Sequence, residues 1–106
     1  MTAPHQTFAG VPVRAAEDAM AERHRQIVEF GHTPETDRSE YHRDGRGRTH
    51  LARTARTYAH DALDLMQRGP AHHERARQKA VRAAAACLAL IDLIDALTEG
   101  EHPDAR

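Results

Sequence analysis

Residues 51–66 read LARTARTYAHDALDLM, and their spacing decides the fold. Leu51, Ala55, Tyr58, Ala62 and Leu65 recur at alternating steps of four and three residues. An α-helix turns once in about 3.6 residues, so these side chains form one apolar seam along a single helical face. Ala59, Leu63 and Met66 widen the seam, and Arg53, Arg56, His60 and Asp64 take the far side. No window of the chain shows the strict alternation of a half-buried strand. An all-α fold follows.

Working outward, Gly69-Pro70 breaks this helix, because proline lacks the donor that a helix interior needs. A further helix is predicted over residues 71–98, with Gly100 as its stop. Its middle, AAAACLALI at residues 83–91, is apolar on nearly every side. Such a helix lies at the centre of a bundle or at a subunit contact. Upstream, Pro12 suits a first helical position and Gly31 a left-handed stop, which predicts a helix over residues 12–30. Its stripe is Ala16, Met20, Ile27 and Phe30, with Arg23 in the missing place. A guanidinium in an apolar stripe is costly unless paired. Arg23 therefore meets either a carboxylate from another helix or an anion at the mouth of a pocket.

The rest of the chain is aperiodic. Residues 32–47 read as an irregular connection with one helical turn at Thr33-Pro34-Glu35, an N-cap and first-position signature. Residues 1–11 read as a flexible N-terminal tail and residues 99–106 as a C-terminal tail. The architecture is thus a single helical domain over residues 12–98, with three principal helices at about 12–30, 48–68 and 71–98. Side chains this small make a thin core, so a homodimer is expected to complete the bundle, with Leu88 and Leu90 at the contact.

Composition sets outer limits. The chain has 106 residues, one domain's worth. Fifteen basic side chains against sixteen acidic ones give a net charge of -1, which excludes a strongly basic nucleic-acid scavenger. Aromatic residues make up 4% with no Trp, so a base-stacking platform is poorly supplied, and nucleic acid is not an expected partner. A single cysteine, Cys87, excludes an intramolecular disulfide and a Cys-rich zinc module, and reads as a small buried apolar residue. The N-terminus lacks the basic and apolar regions of a signal peptide, and no apolar run is long enough to span a bilayer. A soluble, cytoplasmic protein without a membrane partner is expected.

Nine histidines are the most unusual count. No two are placed four residues apart on one helix, as a helical zinc site requires. His60-Asp61 has the look of an HD-type metal-dependent phosphohydrolase pair, but His60 lies opposite the seam, away from any pocket. Asp61 with Asp64, and Asp92 with Asp95, each set two carboxylates on one helical side. Such pairs either hold magnesium against phosphates or form a solvated edge. Arg43, Arg46, Arg48, Arg53 and Arg56 form a basic run able to meet phosphates near a helix N-terminus at Thr49.

The stretch Glu22–Asp37, ERHRQIVEFGHTPETD, resembles a family of small proteins found in tailed phages, prophages and bacterial genomes. That family runs E-R-x-R-Q, then E-G-W-T-x-E-x-D-D, then G-E-L-x-x-A-A-x-Y-A, and ends in an alanine-rich helix carrying acidic residues. Glu22, Arg23, Arg25, Gln26, Glu29, Gly31, Thr33, Glu35 and Asp37 fit the first part, and Gly47, Leu51, Ala52, Ala55, Tyr58 and Ala59 the second. Val81 to Ala86, with Asp92 and Asp95, fit the last. His32 stands where the family has Trp, His50 where it has Glu, and Leu90 where it has a Glu of the last helix. The family's acid-rich helices are distantly similar to MazG-like all-α nucleoside triphosphate pyrophosphohydrolases, although their paired E-x-x-E signature is absent here.

Residues and resemblance together imply a phage- or prophage-related helical protein that binds a phosphate-bearing small molecule such as a nucleotide. Arg23, Gln26, His32 and His50 are the expected ligand-binding residues, and Glu29 and Asp37 the expected ligands of a divalent metal, Mg or Mn. Nothing in the spacing assigns a hydrolytic step to a particular residue. The alternative is a non-catalytic helical module that docks on itself or on a host protein.

Overall fold

The computed structural model describes residues 7–31, 33–43 and 49–101. Four α-helices carry the fold among these residues: α1 (Arg14–Phe30), α2 (Pro34–Arg43), α3 (His50–Gln67) and α4 (His73–Glu101). The all-α expectation holds. α4 is the central element, and α1, α2 and α3 all pack against it, α3 most extensively. The 29 residues of α4 make a rod of about 44 Å, and the domain is correspondingly long, 51 Å by 30 Å by 24 Å. Its radius of gyration is 16.2 Å, against about 13 Å for a compact domain of this size.

Alanine explains how the helices meet. The buried apolar residues are Ala19, Ala55, Leu65, Ala76, Ala85, Ala86, Ala89 and Leu93, four of them alanines of α4. Small side chains let helix backbones approach closely but bury little area per residue, which is the thin core that composition implied. Large apolar residues are left outside, among them Met20, Phe30, Leu63, Met66, Ile91 and Ile94.

The structure differs from the sequence reading at five places. Residues 34–43, read as an irregular connection, form a ten-residue helix. Thr33 caps it: its hydroxyl accepts the Thr36 N–H at 3.2 Å, and its carbonyl accepts the Asp37 N–H at 3.0 Å. Among its described side chains the buried one is a carboxylate, Asp37, which leaves no apolar stripe to read. Thr7–Phe8 (β1), within the expected N-terminal tail, pairs antiparallel with Val11–Pro12 (β2), so Pro12, read as the first helical position, lies in a strand and the helix begins at Arg14. Ala9 and Gly10 make the turn with φ of 53° and 82°, the positive pair that a tight hairpin needs.

The third difference is at the last helix. A 3-10 turn at Pro70–His72 precedes α4, which runs on through Gly100 to Glu101 instead of stopping there. Fourth, α1 is rotated relative to the predicted stripe: Ala19 and Arg23 are buried, while Met20 and Phe30 face out. A small residue at position 19 seats α1 against the alanines of α4 better than methionine would. Fifth, Cys87 is an exposed free thiol and not a buried apolar residue. The α1 stop is as read: Gly31 adopts φ 69°, and its N–H returns to the Ile27 carbonyl at 3.1 Å. No helix among the described residues is long and apolar enough to cross a membrane.

Candidate ligand cleft

α1 and α3 both lean on α4 without packing extensively on each other. The space between them is a cleft of about 560 Å³. Its floor is Ala86 and Ala89, so the same small side chains that allow close packing also leave this volume open. Glu22, Arg23, Arg25, Gln26 and Phe30 of α1 form one wall. His50, Leu51, Thr54 and Tyr58 of α3 form the other. Asp37 of α2 and Arg82 of α4 complete it. The volume lies within the range of pockets for small organic ligands, about 300–1,000 Å³.

Three arginines line the cleft, and their surroundings differ. Arg23 is buried, with its Nη2 3.8 Å from Asp37 Oδ2 and 3.9 Å from Asp92 Oδ2. These distances exceed hydrogen-bond reach, so the attraction between these atoms is coulombic. Burial strengthens such attraction, and it ties α1 to α2 and to α4 at one point. Of the two readings of Arg23, the ion pair to another helix is the one the geometry presents.

Arg25 is held by two carboxylates. Its Nε donates to Glu22 Oε2 at 2.8 Å and its Nη2 to Glu22 Oε1, a fork matched to the carboxylate. Its Nη1 donates to Glu29 Oε2 at 3.0 Å, and its guanidinium lies 5.2 Å from the centre of the Phe30 ring. The Arg25 hydrogen bonds hold Glu22 below the usual carboxylate range, against partial burial, with the charge of Arg82 adding to the effect. The same two carboxylates raise the pKa of Arg25 above its usual value.

Arg82 is placed otherwise. Among the described residues it forms no ion pair. Its guanidinium carbon lies 6.0 Å from the centre of the Tyr58 ring, and Lys79 Nζ lies 5.6 Å from the same centre. Two cations thus converge on one aromatic ring, a contact worth about 0.5–1 kcal/mol each at a partly exposed site. α3 and α4 together hold this positive charge at the cleft, near the Glu22 carboxylate but not in an ion pair with it.

The expected site residues divide accordingly. Arg23, Gln26, His50 and Asp37 all line the cleft. Glu29 does not line it, and its side chain is about half exposed and engaged by Arg25. The proposed metal pair of Glu29 and Asp37 is therefore not brought together on the cleft. No group of three or more His, Cys, Asp or Glu side chains is arranged to hold a metal among the described residues. His32 lies outside the described residues, as do Arg46 and Arg48 of the basic run. His60 is exposed, and Asp64 is engaged by Arg68 at 2.9 Å. Sequence reasoning placed Tyr58 in the apolar seam, and assigned neither it nor Arg82 to the site. The available signal was the repeat of a cation at positions 79 and 82, three residues apart and so on one helical face.

The chain matches no family model, no curated protein and no solved structure.

Proposed function

We propose that this protein binds a phosphate-bearing small molecule of nucleotide size in the cleft between α1 and α3. The observation that carries the reading is the contrast among the cleft arginines: Arg23 and Arg25 form ion pairs with carboxylates, whereas Arg82 forms none among the described residues, standing beside the Tyr58 ring and near Glu22 without pairing with it. Arg82 meets the phosphate, as a guanidinium is suited to do through paired donors. Gln26, His50 and Thr54 supply further polar contacts, and Leu51 with Ala86 and Ala89 receives the uncharged part of the ligand. Arg23, given the phosphate contact by the sequence, instead fixes the wall. With Glu29 and Asp37 apart, a magnesium or manganese ion arrives with the phosphates rather than waiting in the protein. The resemblance of residues 22–37 adds the biological side of the proposal, a phage- or prophage-related protein that captures a nucleotide.

A thermal-shift screen of pyrophosphate and nucleoside triphosphates, with and without Mg²⁺, tests the proposal. A ligand at about a hundred times its Kd stabilises the native state by about 2.7 kcal/mol, which is several degrees in Tm for a domain this small. Arg82→Ala is expected to remove that shift. No shift with any of these compounds, or an undiminished shift in Arg82→Ala, would contradict the assignment. A second reading, a helical docking module, has its own observation in the exposed apolar face of α4 opposite the cleft.

A further inference from the structure

On the side of α4 turned away from the cleft, Ala80, Ala84, Cys87, Ile91 and Ile94 are all exposed. Their spacing of four, three, four and three residues makes them one straight stripe, about 21 Å long at 1.5 Å per residue. The stripe contains no charged residue and no histidine. Ile91 and Ile94 are 53% and 50% exposed, unusual for isoleucine in the middle of a central helix. On α3, Leu63 and Met66 are also more than half exposed. By helical position they lie on the flank of α3 opposite Thr54 and Tyr58. Leu88 and Leu90, expected at a subunit contact, are half-buried within the chain and lie off this stripe.

The stripe is graded, and the grading identifies its occupant. Its N-terminal half is small, Ala80 and Ala84, and its C-terminal half is large, Ile91 and Ile94. A parallel copy would set alanine against alanine at one end and isoleucine against isoleucine at the other, leaving a gap and a clash. An antiparallel copy, turned about Cys87, sets Ala80 against Ile94 at both ends and brings Ala84 within one residue of Ile91. In the same register Asp95 falls opposite position 79, two residues or about 3 Å along the axis from Arg77, so these two exposed residues of opposite charge flanking the stripe come within side-chain reach. Arg77 already donates to Asp18 at 2.6 Å through Nη2, and four of its five donors remain for a second carboxylate. Shape and charge are thus complementary to the stripe's own reverse, the requirement of a two-fold interface.

We infer that this face binds a second copy of the chain, with the two α4 helices antiparallel and crossing beside Cys87. The interface lies opposite the cleft, so each copy keeps its cleft open.

Light scattering after size exclusion is expected to give twice the chain mass for the wild-type protein and the single-chain mass for Ile91→Lys. Ile91 is half exposed, so the variant is expected to keep its helical circular dichroism. Register is tested by cross-linking in a Cys87→Ser background with a short bis-maleimide. A mixture of Ala84→Cys and Ile91→Cys chains is expected to cross-link to each other, and Ile91→Cys alone not to itself. A monomeric wild type, or an Ile91→Lys variant that remains dimeric, overturns the proposal. Cross-linking of Ile91→Cys to itself overturns the antiparallel register.

Discussion

The two flanks of α4 are built from the same residue and do opposite things. Towards the cleft, Ala86 and Ala89 are buried, and charge gathers around them in Glu22, Arg23, Arg25, Asp37 and Arg82. Away from it, Ala80 and Ala84 are exposed in a stripe without charge. The difference comes from what stands beside the alanine. Helices α1 and α3 rise on either side of the first flank and bring long polar side chains to a sheltered space, where electrostatic interactions count for more than in water. The second flank has no such walls. Alanine content alone therefore says nothing of function, and the neighbouring helices decide whether a small side chain is a floor or a bare surface.

The largest expected effect breaks the comparison between two arginines of one cleft. Arg23→Ala removes the cation from beside buried Asp37 and is expected to cost about 3 kcal/mol, the scale for breaking one side of a buried ion pair. Arg82→Ala breaks no ion pair, losing its contact with Tyr58 and its charge near Glu22, and is expected to cost about 0.5–1 kcal/mol. Urea denaturation of both variants measures this. Equal losses would mean that Arg82 serves the fold and not a ligand.

A smaller effect separates the two flanks. Ala86→Leu forces a larger side chain onto a buried floor and is expected to destabilise by about 2 kcal/mol, while Ala84→Leu on the open flank stays within about 0.5 kcal/mol of wild type. Chemical denaturation of the pair at a concentration too low for self-association provides the comparison. A neutral Ala86→Leu would show that the floor is less sheltered than described.

The smallest effect concerns pH. Glu22 titrates below its usual value of 4.5 in the folded chain because Arg25 holds its charged form. Its contribution is therefore present above pH 4.5 and is lost as the pH falls through the lower folded value. Glu22→Gln is expected to flatten the part of the acid stability profile that lies below pH 4.5. An unchanged profile would remove Glu22 from the electrostatics of the cleft wall. The uncharged stripe on the other flank contributes nothing to this range.

How much of this was legible in the sequence can be read residue by residue. The seam of α3 and the central place of α4 were plain, because burial of many apolar side chains imposes a helical period. α2 was not, because among its described side chains the buried one is a carboxylate, and neither that nor the capping threonine leaves a period. Its cap signature at Thr33-Pro34 was visible, but its length was not. At the site, Arg23 was marked by its position in an apolar stripe, and Gln26, Asp37 and His50 also line the cleft. Arg82 and Tyr58 escaped notice because their meaning lies in a contact between two helices, and periodicity within one helix cannot report it. Glu29 was assigned a metal on the strength of its type, while its sequence neighbour four residues earlier, Arg25, engages it instead.

The most direct test of the central claim is a titration of the isotope-labelled protein with a nucleoside triphosphate, followed by two-dimensional amide and arginine side-chain NMR. The account predicts that shifts concentrate at Thr54, Tyr58, Arg82 and Ala86, with the Arg82 Nε–H moving most, while Ala80, Ala84, Ile91 and Ile94 stay still. Shifts centred on the Ala80–Ile94 stripe, or none at the highest soluble ligand concentration, would contradict it.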